Sequence, residues 1–183
     1  AELDALAPEI HHGVDVTNAA AVYRAAAEMG DAAIDVLINN AGIMIEDDID
    51  RIDIAAVRLQ FEVNALAPLN IALAFRGRLR AGSKLINISS RLGSIGDNDS
   101  GDDYGYRMSK AAQNMLTSNL ATELGKEGII VAALHPGIVA TGMTAGKSTS
   151  ADQAAGNLKS VIDGLTVEKS GGFYSWSGDT LPW

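Results

Sequence analysis

The chain has no cysteine among its 183 residues, so neither a disulfide framework nor a thiolate metal site can exist. It has no apolar run of transmembrane length and no basic-apolar-small signal peptide at its start, which points to a cytoplasmic protein. It has no basic cluster: 14 Lys and Arg stand against 23 Asp and Glu, for a formal charge of −9. That balance excludes nucleic acid and an anionic membrane as natural partners. No repeat, low-complexity segment or linker interrupts it.

What is present is an ordinary globular composition, 47% hydrophobic and 20% charged, too apolar for disorder. A chain of this size buries roughly 70% of its unfolded surface, enough for one real core, and residues 1–183 read as a single domain. Apolar segments alternate between two periods. Residues 9–16 (EIHHGVDV), 34–38 (IDVLI), 84–89 (KLINIS), 129–135 (IIVAALH) and 171–176 read as strands. Helices are expected after residue 17 (Thr17 or Asn18 as cap, Gly30 as end), over 53–75 with a kink or internal start at Pro68, over 106–124, and near 150–163. The stretch GSIGDNDSGDD at 93–103 reads as a loop, and the charges from Glu46 to Asp53 as a solvated loop and helix start. Strand-helix alternation with continuous apolar strands implies an α/β fold, a parallel sheet covered on both faces. Ligands of such sheets bind beyond the carboxyl ends of the strands. There the polar residues collect: Asp15, Asn39 and Asn40, Ser89 and Ser90, and His135 to Thr141.

Chemistry is concentrated in YGYRMSK at 104–110. Tyr106 and Lys110 are at i and i+4, on one face of a helix, whereas Tyr104 has Met108 at that spacing. A free tyrosine titrates near 10, and bringing it to about 7 takes roughly 4 kcal/mol. One cation about 4 Å away at an effective dielectric near 20 is worth about that much. Tyr106 is therefore the candidate acid/base and Lys110 its expected tuner. The adjoining His11 and His12 point to opposite faces of a strand, and no metal site is expected.

NNAG at 39–42, VNALAPL at 63–69, NISSRLGSI at 87–95, YRMSK at 106–110 and HPGIVATGM at 135–143 follow one another in an order that resembles the short-chain dehydrogenase/reductase family. The long loop between Ser90 and Tyr106 and the ending GDTLPW are similar to its C-factor and sniffer-like carbonyl reductases. The resemblance implies a Rossmann-like doubly wound sheet and NAD(P)-dependent reduction of a carbonyl or oxidation of an alcohol, with NAD or NADP as cofactor. Tyr106 would give or take the proton, Lys110 would lower its pKa and hold the nicotinamide ribose, and Ser90 would bond the substrate oxygen. Ser89 would be structural, and Asn64 would anchor a water linking Lys110 to solvent. Asp15 and Val16 would lie at the adenine, and Asn40, Ala41 and Gly42 along the ribose. Pro136, Gly137, Val139 and Thr141 would bracket the nicotinamide. Trp176 and Trp183 could line a substrate pocket, with packing the simpler reading. Helices containing Asn64 and Tyr106 often meet across a dimer axis in this family, so a homo-oligomer is expected.

One family element is absent: the glycine-rich turn TGxxxGxG that cradles a pyrophosphate. The chain reads as N-terminally truncated, its first βαβ unit missing. A sheet of order 3-2-1-4-5-6-7 then leaves residues 9–16 without a neighbour, and pairing directly beside 34–38 is the favoured repair. A second reading follows, a catalytically idle scaffold that no longer binds the dinucleotide. Cofactor-free halohydrin cleavage is disfavoured, because those relatives carry Arg where Lys110 stands.

Overall fold

A computed structural model describes residues 11–140 and 149–183. Four strands, β1 (Ile34–Asn39), β2 (Leu79–Ile88), β3 (Ile130–His135) and β4 (Phe173–Ser175), form one sheet in the order β1-β2-β3-β4. All three pairings are parallel, with Ile38 opposite Ile86 and Ile86 opposite Ala132. Every crossover carries a helix, as parallel strands require. These are α1 (Ala19–Glu28) ahead of β1, then α2 (Ile54–Phe61), α3 (Ala67–Phe75), α4 (Tyr104–Leu124) and α5 (Ala151–Asp163). Among the described residues, no helix is long and apolar enough to cross a membrane.

The period of two sorts the strand residues between two cores. Leu85 and Val131 point to one face, where they pack with Ala72, Leu79, Leu124 and Ile129 under α3 and α4. Ile86, Ala132 and Leu134 point to the other and pack with Ile162 and Leu165 of the α5 segment. Lys84 reinforces that second face by donating to the carbonyls of Ile162 and Asp163 at the end of α5. Helix α1 rests on α3 through Val22, Ala26 and Phe75.

Several sequence expectations are refined. Asn18, not Thr17, caps α1, its Oδ1 accepting from the Ala21 N–H at 3.2 Å. The pattern over 53–75 is not one helix: α2 passes through a π-helical turn, Glu62–Leu66, before α3 begins. Pro68, near the start of α3, has no N–H to give to the carbonyl four residues back, so the ladder steps to i→i+5 and Ala67 N–H bonds the Glu62 carbonyl. Helix α4 starts at Tyr104, two residues before expectation.

One expectation is overturned. The described part of the 9–16 segment is turn and irregular backbone, and it does not pair beside β1. The chain there closes locally instead. Asp15 accepts from the N–H and hydroxyl of Thr17, and its carbonyl accepts from Asn18 N–H, turning the backbone straight into α1. Among the described residues the outer edge of β1 is therefore unpaired, and Val36 and Ile38 on its α5-side face are 43% and 47% exposed.

Candidate active site

The strands end together at one edge, and the site is built there from the middle outward. Beyond β2, Ser89 and Ser90 diverge. Ser89 Oγ donates to Asn114 Oδ1 at 2.6 Å, and the Asn114 amide donates to the Gly93 carbonyl, which fastens the loop to α4. Ser90 caps the 3₁₀ turn Arg91–Gly93 by accepting from Leu92 N–H, and its side chain lies beside the Tyr106 phenol, where it favours the ionised form. Gly93 permits this closeness: a Cβ there would lie 2.7 Å from Lys110 Cβ and 2.8 Å from the Lys110 carbonyl carbon.

Helix α4 delivers Tyr106 and Lys110 on one face. Its start is unusual, because Asp102 and Asp103 both adopt left-handed backbone and Asp103 makes no capping bond with its own side chain. The carboxylate of Asp47 takes that place. It accepts from Tyr104 N–H at 2.5 Å and Gly105 N–H at 3.0 Å, and the Asp47 carbonyl accepts from Asp103 N–H. The loop that looked merely solvated thus holds the start of the Tyr106 helix. The helix start that it also suggested is real: Asp53 caps α2.

Below the tyrosine, Asn64 is fully buried in the π-helical turn. It accepts from Ile43 N–H, donates to the Ile43 carbonyl and donates to Ser109 Oγ, which donates to the Tyr106 carbonyl. Gln60, one turn earlier, grips Ile45 in the same two-way fashion. The two amides act as a clamp that holds the segment after NNAG against α4. Gly42 sits within it; a Cβ there would come 3.3 Å from Asn64 Oδ1 and 3.5 Å from Lys110 Nζ.

The Lys110 ammonium is buried, donating to the Ile88 carbonyl at 2.8 Å and to Gln113 Oε1 at 3.0 Å. Desolvation lowers its pKa to about 8. The expected lowering of the Tyr106 phenol by Lys110 is not found. Burial raises the phenol pKa, Ser90 opposes, and Asp103 adds a further rise. The physical reason is where the ammonium points: Nζ lies 5.8 Å from the Tyr106 ring centroid and directs two of its hydrogens to Ile88 and Gln113.

Asn39 at the end of β1 donates to Asn87, and Asn87 donates to Thr117 of α4, a buried ladder below the site. Next to it opens a mainly apolar cavity of about 180 Å³, lined by Val16, Asn40, Ala41, Val63 and Pro68 among others. Asp15 is exposed beside Val16, in the turn already described. Beyond β3, Gly137 has φ +79°, and the Trp176 ring covers it so closely that a Cβ would lie 2.9 Å from the ring. Pro136 and Val139 flank that turn, and Val139 forms an isolated bridge with Thr149. Thr141 lies outside the described residues. Trp183 stacks on Phe173 with centroids 5.5 Å apart, and its carbonyl accepts from Gly96 N–H in the loop after the serines.

A family model for short chain dehydrogenases matches residues 2–152. The chain belongs to the short-chain dehydrogenase family. It is 40% identical over 190 residues to 1-hydroxy-2-glutathionyl-2-methyl-3-butene dehydrogenase of Rhodococcus sp. (strain AD45), an alignment covering 100% of this chain and 84% of that protein. It is 41% identical over 158 residues to C-signal of Myxococcus xanthus, covering 82% of this chain and 93% of that one. By structure it is similar to an NADPH-bound carbonyl reductase from chicken fatty liver, with a TM-score of 0.91, 32% identity, and coverage of 100% and 81%. The carbonyl reductase Sniffer of D. melanogaster gives 0.92 and 29%, with coverage of 100% and 82%. Family and relatives together make this short-chain dehydrogenase an NAD(P)-linked oxidoreductase with a Rossmann-like sheet.

Of the residues singled out from sequence, Ser90, Tyr106, Lys110, Asn64 and Gly42 come together, and Val16, Asn40 and Ala41 share the cavity beyond β1. Sequence reasoning missed Asp47, Gln60 and Gln113. Gln60 and Asn64, uncharged polar residues at i and i+4 on one helix face, carried a signal; Asp47, 57 positions from the helix it caps, carried none.

Proposed function

We propose that the chain reduces a small or medium carbonyl compound, or oxidises the corresponding alcohol, with Tyr106 as the acid/base. The observation that carries this reading is the half-buried Tyr106 grouped with buried Ser90, Lys110 and Asn64 at the carboxyl edge of a parallel sheet. A phenol held neutral by burial is a competent proton donor to a developing alkoxide. Ser90, beside the Tyr106 phenol, serves as the second donor to the same oxygen.

The residues present fit the adenine, ribose and nicotinamide parts of NAD or NADP, while the glycine-rich turn that would cradle the pyrophosphate is not among the 183 residues. The apolar cavity beyond β1 suits a flat heteroaromatic ring against Val16, Asn40 and Ala41, with Asp15 beside it. Gly42 and Lys110 would hold the ribose, and Pro136, Gly137, Val139 and Thr141 the nicotinamide. When bound, the nicotinamide supplies or takes the hydride. Lys110 would hold it with an ammonium whose charge is not consumed by any acidic partner among its hydrogen bonds.

We further propose a homo-oligomer. Leu59, Leu66 and Leu73 are exposed at seven-residue spacing along α2 and α3, as are Met108 and Met115 on α4. Leu66→Asp is expected to convert the assembly to monomer in light scattering; unchanged mass would contradict that assignment.

The functional test is turnover of a carbonyl panel with NADH and NADPH, read by loss of reduced-cofactor absorbance. Tyr106→Phe is expected to lose roughly 10²-fold or more, general acid catalysis being worth about that much. Full turnover by Tyr106→Phe would remove Tyr106 from the mechanism.

A further inference from the structure

Lys110 and Tyr106 leave one neighbour unexplained. Gln113 is fully buried on α4, one turn beyond Lys110 and on the same side. Its Oε1 accepts from Lys110 Nζ at 3.0 Å, while its Nε2 is buried with no hydrogen-bond partner. The orientation is forced, since an ammonium donates only and must be met by the amide oxygen. The other buried polar residues along this part of the helix are paired: Ser109 with Asn64, Asn114 with Ser89, Thr117 with Asn87. A half-satisfied amide is a poor way to fill a core position, and a leucine would fill it without an orphan donor.

We propose that Gln113 is a positioning residue, one that fixes the Lys110 ammonium by accepting one of its hydrogens while Ile88 accepts another. The proposal rests on the reading of Lys110 and Tyr106 as the catalytic pair. With two hydrogens committed, the third remains for a ligand, and Gly42 leaves the space beside Nζ free of a side chain. The long lysine side chain is thereby held in one geometry before any ligand arrives.

The titration of Lys110 reports this contact directly. The groups around Nζ are the Ile88 carbonyl from β2, Gly42 from the loop after β1, Asn64 from the π-helical turn, and Tyr106 and Gln113 from α4. Only Tyr106 among them titrates, and it is neutral over the relevant range. On adjoining elements, Arg91 is ion-paired with Asp97, and His135 at the end of β3 is kept neutral by burial. Asp47 and Asp103 lie at the start of α4, more than one turn away. Removing the Gln113 acceptor strips the charged form of a partner and lowers the Lys110 pKa; a carboxylate in its place raises it.

The experiment is NMR titration of lysine-labelled chain, with Lys110→Arg assigning the resonance, on wild type, Gln113→Leu and Gln113→Glu. Wild type is expected to titrate near about 8. Gln113→Leu is expected to fall by roughly half a unit or more, with an equal or higher melting temperature and roughly 10-fold lower turnover, and Gln113→Glu to rise. A structural residue would lower melting temperature on replacement without moving the titration. An unchanged Lys110 titration in both variants overturns the proposal; if Gln113→Leu does not fold, Gln113→Glu decides alone by the same criterion. Full turnover by Gln113→Leu beside a dead Lys110→Met defeats the positioning role only. A shifted titration with full turnover by Lys110→Met and Tyr106→Phe instead defeats the catalytic reading, and the proposal with it.

Discussion

Lys110 carries its charge among neutral partners, and pH exposes what that burial costs. Its folded pKa, about 8, lies below the unfolded value of about 10.4. Between these the unfolded chain binds the extra proton, so the free energy of unfolding, and with it stability, rises as pH goes from 8 towards 10. Urea unfolding across that window is expected to show the rise in wild type and its loss in Lys110→Met. His135 gives the acid counterpart. Burial and Arg91 depress its pKa to about 4, below the unfolded value of about 6.5. Its contribution is complete above pH 6.5 and is lost as pH falls towards 4. Melting curves of wild type and His135→Asn are expected to converge on acidification; parallel curves would contradict the assignment. That Tyr106, Lys110, Ser90 and Asn64 gather in one place was legible at this scale, from the i, i+4 spacing of the first two and the family resemblance of the motifs that hold the others. How they are tuned was not. The sequence places Lys110 one turn from Tyr106, but the Ile88 carbonyl and Gln113 that draw the ammonium aside belong to tertiary packing. Gln113 itself reads as an ordinary helix former until α4 is seen with the sheet end folded over it.

Among the elements, α4 is set from both ends of the turn that carries Tyr106. Asp47 holds its start and Gly93 lets the serine loop lie against it. Replacing a helix cap costs about 1 kcal/mol, and here it also frees the segment that carries Tyr106. Asp47→Ala is expected to lose about that much stability in chemical denaturation, with Asp47→Asn closer to wild type. Gly93→Ala forces a methyl group against the Lys110 backbone and is expected to cost about 1–3 kcal/mol. It should also weaken activity by lifting Ser90 from Tyr106; wild-type stability and turnover in Gly93→Ala would show that the loop yields freely. Helix existence was legible from periodicity, and α5 and the end of α4 lie where the pattern puts them. The π-helical turn was legible only as a disturbance at Pro68, since its place depends on which carbonyl the missing N–H leaves free.

For the molecule as a whole, the parallel sheet was legible because buried parallel strands read as continuous apolar runs, while the order of its strands followed only from the family resemblance. Pairing is a different matter. Residues 11–16 have strand-like composition, yet Asp15 and Thr17 bond each other and the chain turns into α1. Composition describes what suits a strand; a ladder also needs a neighbour in register. The carboxyl edge gathers Ser90, Tyr106, Lys110, Asn64 and the cavity beyond β1 into one region, which is why the account centres on dinucleotide-dependent oxidoreduction. The most direct test is transfer of deuterium from nicotinamide-deuterated NADH or NADPH to the carbonyl carbon of a product, followed by mass spectrometry in wild type and Tyr106→Phe. The account predicts a labelled alcohol from wild type and a loss of roughly 10²-fold or more in the variant. Equal labelling in both, or none from wild type with any carbonyl tested, would contradict it.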